Sequence, residues 1–99
     1  MLKKILKSLG LLKSKALRTD KPVGVITHYY GGIEVAIIKF SKPVSVGQKI
    51  TIQGATTDFS QEIKSMQYDH KEIQSAKAGQ EVGIKSKDKV REGDSVYFD

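Results

Sequence analysis

Two glycine-centred reversals punctuate the last quarter of this chain, and each is followed at once by a short β-branched or aromatic run. Ala78-Gly79 precedes Glu81-Val82-Gly83-Ile84, and Gly93-Asp94 precedes Ser95-Val96-Tyr97. Glycine tolerates positive φ, so the backbone can reverse at such a site without a Cβ clash. Short strands separated by tight turns imply a small β-barrel rather than a helical or layered α/β fold. With 99 residues there is room for one domain and a short appendage. A chain of this size buries about 60–65% of the surface its unfolded form exposes, enough for one modest core.

Composition removes several options. The chain has no cysteine, so disulfides and thiolate metal sites are excluded. Its longest aliphatic string is Val35-Ala36-Ile37-Ile38, far short of the roughly 20 residues that span a bilayer. Lysines interrupt the leucines near the N-terminus, which leaves no continuous apolar core for a secretory signal. A soluble cytoplasmic protein is therefore expected.

The net charge of +6 is placed unevenly. Residues 1–18 carry Lys3, Lys4, Lys7, Lys13, Lys15 and Arg18 and no acid, while positive and negative side chains balance over the remainder. On a helical wheel Leu2, Ile5, Leu6, Leu9, Leu12, Ala16 and Leu17 share one arc and most of the cations lie opposite. Leu11 falls among the lysines, Lys13 falls in the apolar arc, and Gly10 interrupts the segment. The pattern predicts a basic amphipathic helix, marginal alone at this length and in need of an apolar surface. Two regions are expected: a helical extension over 1–18 and a barrel over 19–99, joined near Pro22, which disfavours helix at the preceding residue.

From Pro22 onward the reading is β. The first strand is predicted at residues 23–30, ended by the hairpin signal Gly31-Gly32. A central strand is expected over 33–40, and Lys49-Ile50-Thr51-Ile52-Gln53 alternates as a half-buried strand does. Residues 54–58 read as a polar loop. Residues 59–68 read as one long strand whose apolar phase switches between Ile63 and Met66, the mark of a β-bulge. Asp69-His70-Lys71 turns, and further strands are expected over 71–73, 81–85 and 95–98. The predicted fold is mainly β: a six- to seven-stranded antiparallel barrel preceded by a basic helix.

Taken together, Gly24, Val46-Gly47-Gln48-Lys49-Ile50, Ile63-Lys64-Ser65-Met66, the stretch from Ala76 to Ile84 and Gly93-Asp94-Ser95-Val96 resemble the barrel domain of elongation factor Tu, initiation factor two and their relatives. The same residues look like the C-terminal barrel of the collagenase-like peptidase family. The matched positions are turn glycines and core aliphatics, so what they imply is fold rather than chemistry. No Gly-x-x-x-x-Gly-Lys-[Ser/Thr] sequence occurs, so the phosphate-cradling loop of a GTPase is absent.

Candidate chemistry is sparse. His28 and His70 are the only histidines, and neither forms a metal-ligand spacing with Asp58 or Asp69. They read as surface or turn residues, with no metal, cofactor or bound nucleotide expected. No nucleophile motif supports catalysis, so the chain is not expected to be an enzyme. In His28-Tyr29-Tyr30 the adjacent tyrosines point to opposite faces of a strand. One reading has an exposed ring stacking on a base; the other has one ring capping the core and its neighbour shielding the hairpin.

The leading segment is open to three roles: packing on the barrel, contacting phosphates, or lying on an anionic membrane surface. The function expected first is non-enzymatic binding of transfer RNA, ribosomal RNA or the ribosome. Lys3, Lys4, Lys7, Lys13, Lys15 and Arg18 would contact phosphates, with Tyr29 or Tyr30 stacking. The alternative is a protein-interaction or accessory barrel that partners a peptidase or other protein, or a peripheral membrane protein.

Overall fold

A computed structural model describes residues 21–99. Ten strands follow one another: β1 (Gly24–Tyr30), β2 (Val35–Phe40), β3 (Val44–Ser45), β4 (Lys49–Gln53), β5 (Asp58–Glu62), β6 (Met66–Tyr68), β7 (Lys71–Ile73), β8 (Ser75–Ala76), β9 (Glu81–Lys85) and β10 (Ser95–Phe98). Eight of them form one curled half-barrel in the order β5-β4-β10-β1-β2-β9-β6-β7, and β3 pairs with β8 apart from it. Every pairing is antiparallel. The sheet thus has more strands than the six or seven expected. The helix expected over 1–18 lies outside the described residues.

Alternation along the strands builds the core. Ile38 and Phe40 of β2, Ile50 and Ile52 of β4, Val82 and Ile84 of β9 and Val96 of β10 all point inward and are buried. Inward residues spaced two apart meet across each ladder, as with Ile26↔Ile38 and Val82↔Ile38. In β1 the register shifts between Ile26 and His28, leaving Thr27 as the extra residue of a bulge. The inward phase therefore changes from Gly24 and Ile26 to Tyr29, which packs against the core. Thr27 Oγ1 lies 3.2 Å from the Ile37 carbonyl and 3.0 Å from Glu81 Oε1, so its single proton can satisfy either acceptor.

Residues 59–68 do not form one bulged strand. Ile63 and Met66 are both fully buried, which three residues of continuous strand would forbid, because they would face opposite sides. The chain instead breaks between them. The Ile63 N–H donates to the Gln48 carbonyl and the Ile63 carbonyl accepts from Gly47 N–H, each at 2.8 Å. Beyond this pin the backbone crosses to a different neighbour: β5 pairs with β4, whereas β6 pairs with β9.

The first hairpin loop also differs from expectation. Tyr30 pairs with Val35, so four residues rather than two make the reversal, and positive φ falls on Glu34 at 58°. Ile33 sits on this loop, 62% exposed. At Asp69-His70 a two-residue turn joins Tyr68 and Lys71, both central residues having positive φ (54° and 64°). That is the sign pattern of a type I′ hairpin turn, whose twist suits antiparallel strands.

One turn design recurs three times. In residues 45–48, 77–80 and 91–94 the fourth N–H donates to the first carbonyl: Gln48 to Ser45 at 3.2 Å, Gln80 to Lys77 at 3.2 Å and Asp94 to Arg91 at 3.1 Å. The third residue is a glycine with φ of 100°, 91° and 92° respectively, as a type II turn requires. In each case the fourth side chain also accepts the first residue's N–H, through Gln48 Oε1 (2.7 Å), Gln80 Oε1 (2.7 Å) and Asp94 Oδ2 (2.9 Å). A local side-chain acceptor thus locks each reversal.

Candidate functional site

The hairpin end of β1 carries the aromatic pair. Tyr29 is half-buried against the core, whereas Tyr30 is 50% exposed. The Tyr30 ring lies 4.3 Å from that of His28, tilted by 58°, and His28 Nδ1 is 2.9 Å from Glu92 Oε2. The cluster is an exposed aromatic and hydrogen-bonded contact that joins β1 to the turn preceding β10. His70 occupies the exposed turn between β6 and β7. Among the described residues no group of three or more His, Cys, Asp and Glu could hold a metal ion. Asp58 begins β5 rather than holding a turn, and its Oδ1 accepts from Gln53 Nε2 at 3.4 Å; Phe59 packs against the core. Lys3, Lys4, Lys7, Lys13, Lys15 and Arg18 lie outside the described residues.

The surface of the described residues includes two open depressions. The first, of about 580 Å³, is a largely apolar groove lined by Pro22, Gly24, Val25, Phe40, Ala78 and Gly79, with Lys39 and Ser41 at its margin. The second, of about 520 Å³, is lined by serine, glutamine and charged residues and lies where β5 faces the end of β9. Lys64, Lys85, Lys87 and Glu62 ring it. The sheet does not close there by a strand ladder. Gln61 Nε2 donates to the Lys85 carbonyl at 2.9 Å and Gln61 Oε1 accepts the Lys87 N–H at 2.7 Å. Lys87 Nζ reaches back to the Ser60 carbonyl at 3.3 Å. Sequence reading missed this seam, because a glutamine that bridges 24 and 26 residues of chain leaves no local pattern.

On the opposite side of β9, Lys85 Nζ donates to the Ile33 carbonyl at 3.2 Å and lies 3.8 Å from Glu34 Oε1. That contact ties the exposed hairpin loop to the sheet. Among the described residues no helix is long and apolar enough to cross a membrane.

No family model matches the chain. Over 77 residues it is 41% identical to an uncharacterized protease of Methanocaldococcus jannaschii. The match takes in 77% of this chain but spans only 19% of that protein's length. Among solved structures, the C-terminal domain of a putative U32 peptidase from Geobacillus thermoleovorans superposes with a TM-score of 0.74. It is 18% identical, with 78% of this chain and 90% of that domain covered. A selenomethionine variant of the same domain superposes with a TM-score of 0.73, covering 78% of this chain and 98% of that one. At this identity the likeness establishes the fold, which is that of a peptidase's C-terminal domain. Of the two resemblances read from the turn glycines, the collagenase-like peptidase barrel is supported, whereas that to elongation factor Tu and initiation factor two finds no support. The expectation of a translation-factor-like, RNA-binding or ribosome-associated module is thereby corrected: the comparisons point to a peptidase's C-terminal domain, and turn glycines and core aliphatics report a barrel without naming its partner.

Proposed function

We propose that this chain is a non-catalytic accessory barrel that partners a peptidase through protein contacts, with residues 1–18 as an extension of the barrel at 19–99. One observation carries the reading: the protease sequence matched at 41% identity contains this barrel in only about a fifth of its length. A module that recurs beside a much larger polypeptide is suited to docking or presentation. The described histidines agree with this role, since His28 is engaged with Glu92 and Tyr30 and His70 sits on a turn.

The test is binding in trans. The Methanocaldococcus jannaschii protease is produced without its matched segment, and the full chain is titrated onto it by calorimetry. Accessory contacts of ordinary size predict a Kd of about micromolar. No heat of binding at about 100 µM, a level at which even weak specific contacts register, overturns the reading.

A further inference from the structure

We infer that the seam between β5 and the end of β9 is a strand-addition site for an extended, acidic segment of a protein partner, with the Gln61 amide as its resident stopper. The inference rests on the accessory-barrel reading and names the surface that reading lacks.

Hydrogen-bond parity shows which backbone groups face the cleft, where side chains rather than a neighbouring strand meet them. Gly54 N–H donates to the Thr57 carbonyl and Ile63 N–H to the Gln48 carbonyl, both at 2.8 Å, at the two ends of the β4–β5 ladder. Alternation between them directs the N–H and C=O groups of Phe59 and Gln61 at β4, and those of Asp58, Ser60 and Glu62 away from it. The Ser60 carbonyl does face outward, since it takes Lys87 Nζ. The same logic applies to β9. Phe40 N–H donates to Gln80 and Ser86 N–H to Glu34, so the main-chain groups of Glu81, Gly83 and Lys85 face away from β2. β6 covers that edge at Gly83 alone.

Two strand edges therefore face each other across the cleft, and one side chain bridges them. Gln61 donates to the carbonyl of Lys85 and accepts the N–H of Lys87, two residues on. A residue in a parallel ladder bonds its neighbour in this way, to the residues before and after its opposite number. A primary amide thus stands in for one rung of a strand, and a peptide backbone can replace it rung for rung. Strand addition at an exposed edge is an established mode of peptide capture.

Charge selects the occupant. Lys64 and Lys87 bring their charges to the cleft against Glu62, and both are exposed, whereas the Lys85 ammonium is turned away to the Ile33 carbonyl and Glu34. A strand bearing acids on alternate residues would present carboxylates to Lys64 and Lys87 while its backbone pairs with the edge. A basic strand would meet like charge.

The test uses the full chain and three fluorescein-labelled peptides of about ten residues: alternating Thr and Glu, alternating Thr and Lys, and the acidic peptide with every second amide N-methylated. Anisotropy should show the acidic peptide binding about tenfold tighter than the basic one. N-methylation should abolish binding, because a ladder needs the N–H groups. Lys64→Gln with Lys87→Gln should weaken the acidic peptide about tenfold. Gln61→Leu should strengthen it several-fold by removing the competing amide. Equal binding of the N-methylated and unmodified peptides, or no preference for acid over base, overturns the proposal. The two hypotheses fail separately. Peptide binding without peptidase binding removes only the assigned partner. Peptidase binding untouched by Lys64→Gln with Lys87→Gln removes the seam and leaves the accessory reading standing.

Discussion

The carboxylate of Asp94 rests on the Cα of Gly54, so closely that a Cβ at residue 54 would overlap Oδ1 and Cγ. Asp94 is buried, and its Oδ2 accepts the Arg91 N–H at 2.9 Å. It cannot swing aside without leaving a turn donor unmade. Gly54→Ala is expected to cost about 2–3 kcal/mol of stability by urea unfolding. Gly32→Ala serves as the control, since a Cβ there meets nothing within 4 Å and φ is not positive; a change under about 0.5 kcal/mol is expected. Equal losses at the two positions would refute the steric account.

The three matched turns predict a matched set of costs. Cβ atoms at Gly47, Gly79 and Gly93 would have open space, so only positive φ opposes alanine there. Each Gly→Ala change should lose about 1 kcal/mol. The three sites share no partner, so the losses should add in the triple variant. A triple variant as stable as wild type would show that the turns are held by something other than glycine conformation.

The tyrosines should separate by an unfolding measurement. Tyr29 packs on the core, whereas Tyr30 is half exposed and touches the His28 ring. Tyr29→Ala is expected to destabilise by about 2 kcal/mol and Tyr30→Ala by under about 0.5 kcal/mol. The reverse order would place the β1 bulge wrongly.

The contact between His28 and Glu92 is a surface pair, with side chains 47% and 65% exposed. Glu92→Gln should change stability by less than about 1 kcal/mol. Near-molar salt should shrink the difference between variant and wild type. A loss that salt does not touch would mark the contact as packing rather than charge.

In the core, Phe40 and Ile50 are fully buried. Phe40→Ala is expected to cost about 3–5 kcal/mol and Ile50→Val about 1 kcal/mol. In a domain this small the first change leaves little folded population, readable as lost β-sheet circular dichroism.

Where the physics was local, the sequence was legible. β4, β9 and β10 lie where alternation and flanking glycines place them, because a half-buried strand writes its period into five consecutive residues. The break between β5 and β6 was not legible: a phase switch from Ile63 to Met66 fits a bulge as well as a crossover, and only the partner strands decide. β3 and β8 have two residues each, too few to carry a period. The bulge at Thr27 was hidden because Val23, Val25 and Ile26 supply apolar residues in both phases. The Gln61 clasp depends on contacts across 24 and 26 residues, which no window reveals. Of the two family resemblances, that to the collagenase-like peptidase barrel is supported and that to the translation factors is not, since turn glycines and core aliphatics carry no information about a partner.

The extra residue at Thr27 decides which of two neighbouring phenol rings meets water. Were the bulge straightened with every residue kept, alternation would run unbroken from Ile26 and the rings would trade places. Were Thr27 itself deleted, His28 would follow Ile26 on the outer face and Tyr29 would stay inward. The bulge, rather than the aromatic content of the strand, thus sets the outward chemistry at this end of the molecule.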